Sequence, residues 1–235
     1  MTISYPLIPI GHIRTAFPEK FGIPRQSGLV DAEGIVEMLP GFDKAELFEG
    51  IEAFSHIWLS FVFHESLSQG WRPRVRPPRL GGNQKKGVFA TRSPFRPNHL
   101  GLSVVRLRSV ETGVQGVRLH IGGADLLDGT PIVDIKPYLP YADAIEAATG
   151  GFAAERPLPV LQVAFSPLAR KQLMGISGGE QLKSLIEQVI SLDPRPAYRQ
   201  QSDSGRVYGM RLKNYNLRWQ VTEQTATIVD IQQDQ

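Results

Sequence analysis

Glycine and proline mark the junctions between short apolar runs over roughly the first two-thirds of this chain, which favours short strands over long helices there. The runs are Leu7 to Arg14, Ile35 to Leu39, His56 to His64, Gly87 to Arg92, Leu102 to Val110, Val117 to Gly122 and Pro131 to Lys136. The run His56 to His64 carries Trp58, Phe61 and Phe63 in an imperfect alternation, which predicts a strand buried on both faces. In Leu102 to Val110, Val104, Arg106 and Arg108 share one face, and Val105, Leu107 and Ser109 share the other. Asp43 is placed to cap one helical turn through Phe48. Short strands separated by turn signals predict a mainly β fold, a sheet or small β-barrel.

After Tyr141 the composition changes. Ala142 to Pro159 is rich in Ala, Gly and Pro and reads as a linker, placing a domain boundary near residue 155. Ser166 is positioned to cap a helix through Leu173. From Gly179 to Leu192, Leu182, Leu185, Ile186, Val189 and Ile190 recur at the helical period, and Asp193-Pro194 ends the run. Val207 to Lys213, Asn216 to Thr222 and Thr225 to Ile231 read as three strands joined by tight turns. The expected organisation is a β domain over residues 1–155 and a smaller α+β domain over 156–235.

Charge is concentrated in one place. Ser66 to Val110 contains ten of the chain's 26 Lys and Arg and none of its 23 acids, leaving 16 bases against all 23 acids elsewhere. The prolines and glycines of this stretch make stiff, irregular loops. A one-sign patch of this density is the footprint of a polyanion partner, nucleic acid first, with a merely solvated face as the other reading.

Several chemistries are excluded. The chain has no cysteine, so thiolate metal sites, disulfides and Cys nucleophiles are absent. The five histidines are scattered, no metal is expected, and no G-x-G-x-x-G or Walker pattern occurs. No signal peptide and no membrane-length apolar run is apparent, which predicts a soluble, cytoplasmic protein.

Two stretches invite a ligand. In Thr91-Arg92-Ser93-Pro94-Phe95-Arg96-Pro97-Asn98-His99-Leu100-Gly101, two X-Pro steps hold Arg92 and Arg96 in set directions. An ordinary basic hairpin loop would look the same. In Gly123-Ala124-Asp125-Leu126-Leu127-Asp128-Gly129-Thr130-Pro131, a Gly-bounded turn offers backbone groups to the edge of a flat ring and an Asp to an amine or ribose. An Asx-turn with exposed acids is the plainer alternative.

With WRPRVRPPRLGGN, TRSPFRPNHLG, DLLDGTPIVDIKPYLP and DPRPAYR in order, the chain resembles the TrmO (TsaA-like) family of tRNA methyltransferases over essentially its whole length. The resemblance implies a small non-Rossmann β-barrel that binds S-adenosyl-L-methionine, a smaller C-terminal domain, and usually a homodimer. It further implies methylation of N6 of threonylcarbamoyladenosine next to the anticodon of tRNA. By the same resemblance the donor is held by Pro24, Arg25 and Gln26, by His64 and Glu65, by Arg92, by Leu102, and by Asp125, Leu126, Leu127, Asp128 and Gly129. Relatives more often carry Pro and Ile at His99 and Leu100, and Gln at Glu65.

Methyl transfer from a sulfonium needs neither metal nor protein nucleophile. The carbamoylated N6 must lose a proton, and Asp134, Lys136 and Tyr138 are the candidates around the acceptor, with Asp134 orienting Lys136. A same-face pair on a strand is the simpler account of Asp134 and Lys136. The basic stretch is expected to grip the anticodon stem-loop, with Trp71, Phe95, Tyr198 and Arg195 available to stack on bases. A non-catalytic tRNA-binding protein and a cofactor-sensing module remain the alternatives.

Overall fold

A computed structural model describes residues 5–196 and 205–234. In chain order, β1 (Gly11–Thr15), β2 (Glu33–Met38) and β3 (His56–Val62) precede the basic stretch. That stretch holds a two-stranded ribbon, β4 (Arg74–Val75) with β5 (Lys86–Gly87), and leads into β6 (Leu100–Gly113). Then come β7 (Gly116–Gly122), β8 (Pro131–Pro137) and a single turn of helix, α1 (Pro140–Asp143). The C-terminal part comprises β9 (Gln162–Phe165), α2 (Pro167–Met174), α3 (Gly179–Ser191), β10 (Val207–Leu212), β11 (Tyr215–Thr222) and β12 (Thr225–Gln233).

The first unit closes into a six-stranded barrel in the order β1-β2-β7-β6-β3-β8, which removes the exposed edges of an open sheet. Inward side chains fill it: Ile13, Val36, Ile57, Leu59, Phe61, Val105, Leu119, Ile121, Leu126 and Ile132. In the second unit the sheet order is β10-β11-β12-β9, with β9 parallel to β12. The apolar stripe of α3 is buried at every predicted position, together with Trp219, Leu217 and Ile228. Ser166 caps α2, its hydroxyl accepting the Ala169 amide at 3.1 Å.

Five local expectations are corrected. The first strand begins at Gly11, not Leu7, and Leu7 and Ile8 lie exposed. β3 buries one face only, because closure of the barrel turns His56, Trp58, Ser60 and Val62 outward. Gly87 to Arg92 is mostly a 3-10 turn: the Val88 amide is drawn to the Pro73 carbonyl, and the Thr91 amide and hydroxyl both return to the Val88 carbonyl. Lys44, not Asp43, stands at the start of the turn through Phe48, and the Asp43 carboxylate accepts the Gly41 amide at 3.0 Å. In β6 the alternation holds through Val105 and Leu107, until a bulge between Leu107 and Ser109 leaves Ser109 exposed.

Strand register decides which polar residues meet. Leu102, Ser60 and Asp134 form one row across the outer barrel face, and Val104, Trp58 and Lys136 form the next. At a strand spacing of about 4.8 Å, Asp134 and Leu102 stand about 10 Å apart.

Candidate active site

Two loops meet at one end of the barrel. The turn after β7 turns through Gly123 and Gly129, both in the left-handed region (φ 79° and 75°). The Gly28 amide donates to the Gly123 carbonyl at 3.0 Å, bringing Pro24–Gly28 against this turn. A Cβ on Gly123 would lie 3.1 Å from the Gly28 nitrogen, so the close approach depends on glycine.

Arg92 reaches across from the Thr91–Gly101 loop and donates to the side-chain carbonyl of Gln26. That loop is held from within. Arg96 donates to the Thr91 carbonyl at 3.1 Å, and the His99 ring meets the Pro94 carbonyl at 2.9 Å. Asn98 and His99 both take positive φ (65° and 50°), a strained pair that these contacts fix in place. The His99 carbonyl accepts the Phe63 amide at 2.8 Å, which sets the 3-10 turn carrying His64 and Glu65 beside the loop. Glu65 is exposed, and its carbonyl accepts from Lys20 at 3.0 Å.

Asp125 is the electrostatic centre of this end. Burial raises its carboxyl to about 6, while Ser103, its own amide, Arg92 and the backbone at Ser27 pull the other way. Its Oδ1 is buried without a hydrogen-bond partner among the described residues. Such an orphaned acceptor is costly unless a ligand satisfies it. The amides of Leu126 and Leu127 are likewise unengaged within the described chain, whereas those of Ala124, Asp128 and Gly129 are spent on Ala32, Phe17 and Ile13.

The rest of the turn has structural work. The Leu126 side chain fills the barrel core and its carbonyl accepts from Thr15 at 2.9 Å. The Asp128 carboxylate accepts the Thr15 amide at 2.9 Å and faces Arg14 at 3.8 Å, so it staples β1. Ser103 escapes a reading from composition, yet a polar residue at an inward position of β6 is a legible signal.

The acceptor candidates lie together on the outer face. Asp134 accepts from Lys136 through one oxygen and from the Ile135 amide at 3.0 Å through the other. The Lys136 side chain is 69% exposed. Tyr138 packs on Trp58 (ring centroids 5.9 Å) and on His56 (6.3 Å), making an aromatic floor beside that pair. Trp58 and His56 are further residues of this face that the sequence reading leaves as core.

Arg74, Arg76, Lys85, Lys86 and Arg106 make no side-chain hydrogen bond or ion pair with the described residues. Arg108 is neutralised by Asp31 and Glu33 (2.9 and 2.7 Å) and leaves the patch. Trp71 is 58% exposed, and Arg72 lies over the Phe95 ring at 4.3 Å. Arg195 is not available to stack on bases: it is buried and paired to Asp193 at 2.8 Å. Tyr198 lies outside the described residues. No helix among the described residues is long and apolar enough to cross a membrane.

Residues 12–144 match the family model of the tRNA-methyltransferase O N-terminal domain, and residues 159–234 match the TrmO C-terminal domain. The tRNA (adenine(37)-N6)-methyltransferase of Escherichia coli is 46% identical over 222 residues, 94% of each chain. A Pseudomonas aeruginosa protein provisionally named an S-adenosylmethionine-dependent methyltransferase is 50% identical over 92% of this chain and 93% of its own. The crystal structure of TrmO from P. aeruginosa superposes with a TM-score of 0.80 at 41% identity, covering 99% of both chains. With both halves matched in order and the fold shared throughout, this chain belongs to the TrmO family.

Proposed function

We propose that this protein transfers a methyl group from S-adenosyl-L-methionine to N6 of an adenine next to the anticodon of tRNA, the adenine being threonylcarbamoylated. The observation that carries the donor site is the buried Asp125 Oδ1, without a partner among the described residues, beside Arg92, where the two glycine-bounded loops touch. These groups fit the donor's chemistry. A carboxylate acceptor suits its amine or ribose, a guanidinium suits its carboxylate, and the free Leu126 and Leu127 amides suit acceptors on the purine edge.

Pro24, Arg25, Gln26, His64, Glu65, Arg92 and Leu102 line this end, with the Asp125–Gly129 turn as its floor. When bound, the donor supplies an electrophilic methyl carbon. The chain's part is alignment, which is worth about 7–11 kcal/mol when a nucleophile is held in line. Lys136, Tyr138 and Trp58 shape the acceptor side, with Asp134 fixing the Lys136 ammonium, and Leu102 separates that side from the donor end. A purine stacks readily on the Trp58–Tyr138 floor. Arg74, Arg76, Lys85, Lys86 and Arg106, without side-chain partners among the described residues, grip anticodon stem-loop phosphates.

The division into a catalytic barrel (1–155) and an accessory domain (156–235), a homodimer and a cytoplasmic location complete the proposal. Exposed Leu67, Trp71, Leu100 and Leu102 support a second copy covering this end. The decisive experiment incubates the protein with labelled S-adenosylmethionine and bulk tRNA, then digests the tRNA to nucleosides. Label in methylated threonylcarbamoyladenosine is the expected result. Label that never enters that nucleoside leaves a non-catalytic tRNA-binding protein.

A further inference from the structure

The loop proposed to hold the methyl donor belongs to the N-terminal unit in sequence but to the C-terminal unit in packing. Ala16, Phe17, Val30 and Ala32, which bracket it, lie in the hydrophobic cluster of the C-terminal sheet, and Phe21 and Ile23 pack against that cluster. None of them lies in the barrel cluster. Gly22 (φ 93°) passes so near β10 that a Cβ there would fall 2.4 Å from the Met210 sulfur.

Polar contacts repeat the pattern. The Lys213 amide donates to the Ala16 carbonyl at 2.7 Å, Arg211 meets Glu19 through backbone and side chain, and Gln188 accepts the Asp31 amide at 2.8 Å. Arg156 donates to the Gly28 carbonyl at 2.9 Å, while the Gly28 amide is bound to Gly123 on its other side. Gly28 is therefore clamped between the connecting segment and the donor turn. Packing around Arg25 lowers its guanidinium from the ordinary value, Asp193 raises it again, and Arg79 adds to the lowering.

We infer that the C-terminal unit is the support of the methyl-donor loop, and that Arg156, Gly22 and Met210 are positioning residues that hold Pro24–Gly28 against the Gly123–Gly129 turn. The inference rests on the donor site proposed above. A loop carried by one unit and read by the other ties donor affinity to the way the two units are docked. The C-terminal unit thereby acts on methyl-donor binding without touching the donor.

The test uses the full-length protein and S-adenosylhomocysteine as probe. Arg156→Ala, an exposed change, is expected to weaken binding about five-fold, as losing one ordinary solvent-exposed hydrogen bond does. Arg156→Lys recovers part of the loss. Gly22→Ala is expected to weaken it further. In turnover, KM for the donor rises while kcat at saturating donor and tRNA affinity stay within about two-fold, and hydrogen exchange quickens in the peptide spanning residues 21–28. If Arg92→Ala weakens the probe at least about ten-fold but neither supporting change moves it, the inference is overturned and the donor site stands. If Arg92→Ala has no effect either, the donor site itself is misplaced and the inference falls with it.

Discussion

Arg92 donates to the side-chain carbonyl of Gln26, joining the proline-braced loop before β6 to the loop between β1 and β2. Neither is near the other in sequence, and the contact faces the buried carboxyl of Asp125. Arg92→Ala is expected to weaken S-adenosylhomocysteine binding by about 1.5–3 kcal/mol, the cost of losing a charge-assisted partner. Tight binding of tRNA should persist. Calorimetry with each ligand separates the two, and equal losses would assign Arg92 to the RNA instead.

Arg72, Arg74 and Arg76 are exposed on the ribbon side of the barrel. Replacing all three by Ala should weaken tRNA binding and flatten its log–log salt slope by about 2–3, at roughly 0.7–0.9 per phosphate contact. Donor affinity should be nearly unchanged. Binding titrations at several salt concentrations give the slope directly.

Gly123 stands at φ 79° with the Gly28 backbone inside the space a methyl would take. Gly123→Ala therefore meets both a left-handed penalty of about 1–2 kcal/mol and a steric push on the donor loop. Lower thermal stability together with weakened S-adenosylhomocysteine binding is expected. Unchanged affinity would show that the loop contact does not shape the site.

Asp125 has a carboxyl raised to about 6 by burial against an ordinary 3.8. The folded state therefore holds its proton more tightly than the unfolded state. The resulting stabilisation is full below about pH 4 and is lost as pH rises through about 6. Relative to Asp125→Asn, the native protein should lose about 2–3 kcal/mol of stability between those limits. Urea denaturation of both proteins from pH 4 to 7.5 measures the difference, and parallel profiles would remove the buried carboxyl from the account. Donor binding, which needs the charged form, should weaken below pH 6.

Asp193 and Arg195 are both buried and bonded through two contacts of 2.8 Å. Asp193→Ala strands a buried guanidinium without this carboxylate and is expected to cost about 3–5 kcal/mol in chemical denaturation. A cost under about 1 kcal/mol would mean that the other contacts of Arg195 suffice.

The alternation of Val105 and Leu107 and the stripe from Leu182 to Ile190 are written in period, and the structure buries them as read. The Val88–Ala90 turn was not legible, because a β-like run of Val and Phe reads as a strand until the Pro73 carbonyl takes its amide. Asp128 looks like a ligand by its place in a turn, yet Thr15, over a hundred residues away, claims its carboxylate. Arg108 counts toward the basic patch in sequence and is cancelled in space by Asp31 and Glu33.

Sequence alone determined the short-strand architecture, the helical stripe, the acid-free cationic stretch and the motifs of the TrmO family, because periodicity, charge and turn chemistry are local properties. Tertiary structure decided that the barrel closes, that one Asp125 oxygen finds no partner among the described residues, and that the Pro24–Gly28 loop leans on the C-terminal core. Those depend on burial and on partners distant along the chain, and desolvation exists only once the chain has folded around the group.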